Sequence, residues 1–239
     1  MSDVEEVNTL TLSILEEAPA YHRWIVEKMS PWFGETILEV GCGVGHLTAL
    51  LLRHGRVIPT DINGDYLQIV ENKFRDHPNL KKVFLWDIRC PAPGELDEPI
   101  DSIVCSNVLE HIEEDEKTLG YFYQILQPRG RLILLVPALK WLYNELDRGL
   151  GHFRRYGKGE LQQKLEAQGF KIRQLTFLNG FGILGWFLNG TVMRRSLLPI
   201  QQVRIFNRLV PFLIRFEKVL PLVIGQSLIA IGEKGGGEI

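Results

Sequence analysis

Cysteine is scarce. The 239 residues hold Cys42, Cys90 and Cys105, without C-x-x-C spacing, which excludes a disulfide framework and a cysteine zinc site and reads as reduced thiols of a cytosolic protein. Net charge is nearly absent too, at −2, so the whole chain makes no case for nucleic-acid binding. A basic, apolar leader is missing: the first twenty residues carry Asp3, Glu5, Glu6, Glu16 and Glu17 with no Lys or Arg, and no secretory signal is expected. Internal repeats are lacking, and the terminal GGGEI is expected to fray. From Gln174 to Met193 no residue is charged, yet the glycines and asparagines there, and the pair Arg194–Arg195, exclude a membrane-spanning helix.

What is present is alternation. With 45% hydrophobic and 23% charged residues the chain can bury a sizeable core. Strand-like runs at 37–41, 56–61, 82–87, 101–107, 131–137 and 171–178 are separated by helical patterns at 45–53, 64–75, 115–126 and 158–168. That order implies βαβ units, an α/β class and a parallel sheet covered on both faces. LQPRGR (126–131) is expected as a turn into the fifth strand, residues 8–30 as helix broken near Pro19, and SLIAIGEK (227–234) as a seventh strand.

The stretch TILEVGCGVGHLTALLLRHG (36–55) is strand, glycine loop and helix, the context of a nucleotide-binding turn. Its glycines fall at 41, 43 and 45, and His46 stands where the dinucleotide fingerprint needs glycine. Glu39 would repel a pyrophosphate and favour a sulfonium or ammonium group. Asp61 ends the second strand twenty residues after Gly41, where a carboxylate can accept both hydroxyls of a ribose. Adenosine, positive charge and no phosphate together select S-adenosylmethionine.

ILEVGCGVG, TDIN, LWDI and CSNVLEHI, in this order, resemble the class I S-adenosylmethionine-dependent methyltransferases over roughly residues 35–137. The resemblance implies a Rossmann-like doubly wound, mostly parallel seven-stranded sheet with an antiparallel last strand. It implies one methyltransferase domain over 1–239: a helical cap (1–35), the cofactor core (36–137), a substrate-side segment (138–178), an apolar helical insertion (179–225) and the last strand (226–234). It also implies that Glu39, Gly41, Cys42, Gly43 and Gly45 line the methionine end of the cofactor. Asp61 would hold the ribose with Ile62 against the adenine, Asp87 the adenine amino group with Ile88 on the ring, and Asn107 would offer backbone to the cofactor's amino group. Tyr21, His22 and Trp24 precede the first strand on a helix of the kind that covers the cofactor in that family; Tyr21 or Trp24 could touch it, and simple packing is the favoured reading.

His111 in NVLEHI is a candidate base, with Glu110 organising its loop. In LDRGLGHFRRYGKGEL (146–161), His152 or Tyr156 could orient or deprotonate an acceptor, and Arg154 and Arg155 could clamp an anionic group; a loop docked through Phe153 and Tyr156 is the alternative. The run EEDE (113–116) is read as a helix N-terminus and no metal is expected.

About 48 residues separate the sixth and seventh strands. Within them Gln201, Arg204, Arg208, Arg215 and Lys218 share a helical stripe beside a wide apolar face, kinked at Pro211. That face suits three partners: the body or a homodimer, a greasy substrate, or an anionic membrane surface met peripherally. The expected reaction is in-line methyl transfer to a small-molecule or lipid-like acceptor. A non-catalytic S-adenosylmethionine-binding partner protein and a nicotinamide-dependent oxidoreductase are the competing classes. A nucleic-acid substrate is not expected, because Val108 and Leu109 follow Asn107 where base-methylating enzymes carry N-P-P-Y.

Overall fold

The computed structural model describes residues 3–94, 96–219 and 223–236; residues 237–239 of the expected frayed tail lie outside them, as does the side chain of Lys218. Seven strands, β1 (Thr36–Val40), β2 (Arg56–Asp61), β3 (Phe84–Leu85), β4 (Ile100–Ser106), β5 (Leu126–Pro137), β6 (Lys171–Leu178) and β7 (Ser227–Glu233), form one sheet in the order β3-β2-β1-β4-β5-β7-β6. β1 pairs in parallel with both β2 and β4, and β7 is antiparallel to β5 and β6.

The period of two along each central strand divides the core between two faces. Leu38, Val40, Ile103, Cys105, Leu132 and Leu134 meet α5 (Asp115–Ile125) and α7 (Lys158–Ala167) on one side. Ile37, Val57, Val104, Ile133 and Leu135 meet α2 (Pro19–Met29) and α3 (Thr48–Leu51) on the other. All five residues of β1 are buried, as in a strand covered on both faces, and Glu39 is the charged side chain among them. The sheet changes winding direction between β1 and β4, and that is where an open α/β sheet leaves a crevice.

Two local readings differ from expectation. The stretch 126–131 is not a turn before β5 but an irregularity inside it: the pairing with β4 jumps from Ile100–Leu126 to Ser102–Arg131. Arg129, at φ 66°, absorbs the extra residues, and its N–H is taken by the Lys234 carbonyl at 3.1 Å. The helix after the glycine loop covers only Thr48–Leu51, because Gly45 at φ 85° holds the preceding chain out of helical geometry.

The chain between β6 and β7 folds as α8 (Gly182–Trp186), a π-helical turn (Phe187–Val192) and α9 (Ile200–Val219), whose assignment runs through Pro211. Val203, Phe206, Val210 and Ile214 turn α9 inward toward α2. α2 has no side-chain cap of its own, and the Asn207 Oδ1 supplies one, accepting from Ala20 N at 2.8 Å and Tyr21 N at 3.3 Å. Arg204 pairs with Glu17 at 2.7 Å. The insertion therefore docks on the helical cap, while Ile205, Leu209, Phe212 and Phe216 on its outer stripe stay 48–64% exposed. Among the described residues no helix is long and apolar enough to cross a membrane.

Candidate active site

A cavity of about 1090 Å³ opens at the carboxyl ends of β1, β2 and β4. α1 (Asp3–Leu15), α2, α8 and α9 roof it. The glycine loop forms one wall: Gly41 and Gly43 have φ of 71° and 52°, a region L side chains avoid. A methyl group on Gly41 would collide with Val108, and Leu12 of α1 lies 3.2 Å from where Gly43 would carry one. Gly41 and Cys42 both donate to the Thr60 carbonyl at 2.9 Å, which ties the loop to the end of β2.

Of the expected cofactor residues, Glu39, Gly41, Cys42, Gly43, Asp61, Ile62, Asp87, Ile88 and Asn107 line this cavity. Gly45 does not; it faces Phe74 and Val70 of α4 (Gly64–Phe74) and serves the packing behind the loop. The Asp61 carboxylate accepts from Gly43 N and Asn63 N, both at 2.9 Å, so it sets the loop's shape as well as facing the cavity. Burial raises its pKa against those donors. Glu39 is 2% exposed and accepts from Thr48 Oγ1 at 2.6 Å; burial first, then the Asp61 charge, push its pKa up to about 8. Asp87 is held below the usual carboxylate range by Arg89, whose guanidinium reaches both its oxygens at 2.6–3.0 Å. An adenine amino group arriving at Asp87 must compete with Arg89. The Asp61 and Asp87 carboxylates, with the Glu39 carboxyl able to ionise beside a cation, fit an adenosyl sulfonium better than a pyrophosphate at this glycine-rich loop. Tyr21 also faces the cavity, whereas Trp24 is core and His22 stacks on His46 at 5.1 Å.

The far end of the cavity is built around a residue that sequence reasoning passed over. Asn144 and Asp147 form a capping box on α6 (Glu145–Leu150): Leu146 N donates to Asn144 Oδ1 at 3.0 Å and Asn144 N to Asp147 Oδ2 at 3.1 Å. Gly151, at φ 75°, turns the chain back so that His152 returns onto that same carboxylate. Asp147, fully buried, then accepts from the His152 ring at 2.9 Å, Arg155 Nε at 2.8 and 3.0 Å, and Trp186 Nε1 of α8 at 3.0 Å. Burial would raise its pKa, but the hydrogen bond from His152 and the Arg155 charge win and hold it low. The spacing Asn-x-x-Asp, with glycines following, was the signal available.

His152 and His111 meet edge to face, centroids 4.7 Å apart, both at the cavity. Burial, with His152 adding to it, lowers the His111 pKa to about 3. Glu110 is fully buried and neither side-chain oxygen has a hydrogen-bond partner within normal distance; burial raises its pKa to about 7, against the opposing charges of His152 and Arg155.

The remaining substrate-side residues go elsewhere. Tyr156 is not on the cavity wall: its hydroxyl donates to Asp115 Oδ2 at 2.8 Å within the core. Arg154 turns to the same Asp115 at 3.2 Å and to the Glu113 carbonyl at 2.7 Å. Arg155 reaches the cavity but is spent on Asp147 and the Ala138 carbonyl. The two arginines diverge, and no anion clamp forms at 154–155. Asp115 and Glu116 lie in the first turn of α5, as the reading of EEDE has it.

Residues 38–132 match the family described as "Methyltransferase domain". The chain is 31% identical over 106 residues to the ubiquinone/menaquinone biosynthesis C-methyltransferase UbiE of Vibrio campbellii, a match spanning 43% of this chain and 41% of that protein. Among solved structures, a chain of the Haloferax volcanii complex with the Trm112 methyltransferase activator aligns at TM-score 0.64 and 13% identity, over 98% of this chain and 97% of its own. An S-adenosylmethionine-dependent methyltransferase from Clostridium acetobutylicum aligns at TM-score 0.59 and 15% identity, over 92% of both chains. At such identities the structures speak for the fold alone, and the sequence match speaks for the cofactor half. The shared segment is under half of this chain and of the relatives it matches; over that segment, with the strand order, the glycine loop and the carboxylates behind it, the chain is similar to the class I S-adenosylmethionine-dependent methyltransferases.

Proposed function

We propose that this protein transfers the methyl group of S-adenosylmethionine to a small acceptor with an apolar, lipid-like body. The observation that carries this reading is the continuity of one cavity, from the glycine loop and Asp61 to His111 and His152, beneath a roof made by the insertion. When bound, the cofactor supplies a methyl group already activated by its sulfonium. Asp61 would hold the ribose, Asp87 and Ile88 the adenine, the glycine loop the methionine end, and the Asn107 carbonyl the amino group. The roof excludes water from the line of transfer.

His111 and His152 are the imidazoles on the cavity wall, with Glu110, Asn179 and Gln202 among its other polar groups, and Phe181, Trp186, Leu197 and Phe206 supply apolar wall. An anionic acceptor finds no free guanidinium at 154–155, because both arginines are paired with carboxylates. The C-methyltransferase of ubiquinone/menaquinone biosynthesis among the relatives supports an apolar acceptor, although the shared segment is the cofactor half. Incubating the protein with methyl-labelled S-adenosylmethionine and cell extract, then partitioning the mixture, is expected to leave label in the organic phase. Labelled product confined to the aqueous phase, separated from unreacted S-adenosylmethionine, would overturn the apolar acceptor, and no labelled product in either phase would overturn the transfer.

The outer stripe of α9 carries the second half of this reading. Ile205, Leu209, Phe212 and Phe216 recur at four, three and four residues, and exposed Arg208 and Arg215 flank them. Apolar side chains edged by arginine suit a peripheral seat on an anionic membrane, from which a lipid-like acceptor could enter beneath the roof. The protein is expected to sediment with vesicles containing phosphatidylglycerol, and Phe212→Ser with Phe216→Ser to abolish this. Equal recovery with zwitterionic vesicles, or dimerisation that the same pair disrupts, would assign the stripe otherwise.

A further inference from the structure

Glu110, His111 and His152 come from two separate segments, the end of the β4 motif and the loop after α6, and meet at the acceptor end of the cavity. One ligand atom from each lies within 4.8 Å of the others, and Glu110 Oε1 stands 3.9 Å from His152 Nε2. That separation is too long for a hydrogen bond. It is close to what one shared cation would need, since bonds of about 2.0–2.2 Å put ligand atoms roughly 3–4 Å apart. The side chains would have to close by about an ångström, and they face one another across the gap.

Three features distinguish this cluster from an accidental grouping. Glu110 is fully buried with both oxygens unpartnered, a costly state for a carboxylate unless something in the cavity pairs with it. The His152 ring is held from behind: Nδ1 meets Asp147 Oδ1 at 2.9 Å, leaving Nε2 toward Glu110, and the His111 ring packs edge to face on it at 4.7 Å. Carboxylate or carbonyl behind histidine is the usual way a metal-ligating imidazole is oriented. Asp147 is itself fixed by Arg155 and Trp186, so the His152 ring cannot easily turn.

We propose that Glu110, His111 and His152 form a binding site for a first-row divalent cation such as Zn²⁺, Mn²⁺ or Co²⁺, with its open coordination positions facing the cavity to take an oxygen of the acceptor. Two imidazoles and one carboxylate favour such ions over Mg²⁺ or Ca²⁺, which prefer all-oxygen ligands. Three protein ligands leave room for an exogenous one, the hallmark of a reactive rather than a structural site. The cation would give the buried Glu110 charge its missing partner. It would also make His111 and His152 ligands instead of bases, with acceptor activation passing to the ion. The ion site stands on side-chain geometry alone; only the identity of its oxygen ligand rests on the methyl-transfer reading above.

The test is a titration of the chelator-treated full chain with Co²⁺, followed by visible absorption. One equivalent per chain is expected, with d–d bands strong enough to mark a low coordination number. Acetohydroxamate, a bidentate oxygen ligand, is expected to shift those bands. Glu110→Gln keeps the shape and removes the charge, and is expected to weaken Co²⁺ binding tenfold or more; His152→Gln is expected to do the same. Binding of S-adenosylhomocysteine, measured on each variant, is expected to stay within twofold and reports an intact fold. Absence of stoichiometric Co²⁺ uptake by the wild-type chain, or uptake unchanged in both variants, overturns the site. Bands indifferent to acetohydroxamate overturn its open positions. Co²⁺ uptake without S-adenosylhomocysteine binding would leave the ion site standing and remove the methyl-transfer reading; the reverse result removes the ion alone.

Discussion

Asp147→Ala is expected to destabilise the protein by about 3–5 kcal/mol, the range for stripping one partner from a buried ion pair. Arg155 is only 2% exposed and would keep its charge with bonds to the Ala138 carbonyl at 2.9 Å and, at 3.5 Å, the Gln226 carbonyl, and with the Trp186 ring at 4.8 Å. Its two bonds to Asp147 would vanish, and so would those from the His152 ring, Trp186 Nε1 and Asn144 N. For a chain of this size a loss of that order lowers Tm by roughly 6–20 °C. Differential scanning calorimetry measures it directly. Arg148→Ala, on the same short helix, is the control: its pair with Glu145 is exposed and is expected to contribute under about 1 kcal/mol. A drop of similar size in both variants would mean that α6 as a whole, not the buried carboxylate, is what the fold depends on.

That residue also shows where reading the sequence stopped. The central strands were legible because ILEV, SIVC and LILLV are nearly continuous apolar runs of strand length, and the helices between them follow from length and amphipathicity. The glycine loop was legible because Glu39, Gly41, Gly43 and Asp61 lie within 23 residues, at the ends of two adjacent strands. Asp147 was not, because its meaning comes from Trp186, 39 residues away, and from a left-handed Gly151 that reverses the chain onto it. Arg154 and Tyr156 were misplaced for the same kind of reason. In RRY the side chains alternate, and Asp115, some 40 residues earlier, claims both of them. Which carboxylate an arginine finds is a tertiary fact, and no spacing within 146–161 encodes it.

Glu39 ties the legible half to a pH dependence. In the free protein its carboxyl, 2% exposed with a single donor in Thr48, has a pKa near 8 and is mostly protonated at pH 6–7. A cationic ligand beside the glycine loop favours the carboxylate, so binding must expel that proton. Between the two pKa values the bound state holds one proton fewer, and affinity rises with pH, by up to tenfold per unit, until it levels off above about 8. From pH 6 to 8 the gain is at most about fiftyfold. The fold carries the opposite sign: a carboxyl raised from 4.5 in the unfolded chain to about 8 in the free folded protein stabilises least at high pH, its contribution lost as pH rises through 8. Isothermal titration of S-adenosylmethionine in buffers of differing ionisation enthalpy should register close to one proton released at pH 7, and Glu39→Gln should release none. If S-adenosylhomocysteine releases the same proton, Glu39 answers to the ligand's ammonium; if only S-adenosylmethionine does, it answers to the sulfonium. A pH-independent affinity in the wild-type protein would show that Glu39 stays protonated beside its ligand, a hydrogen-bond donor and not a counter-charge.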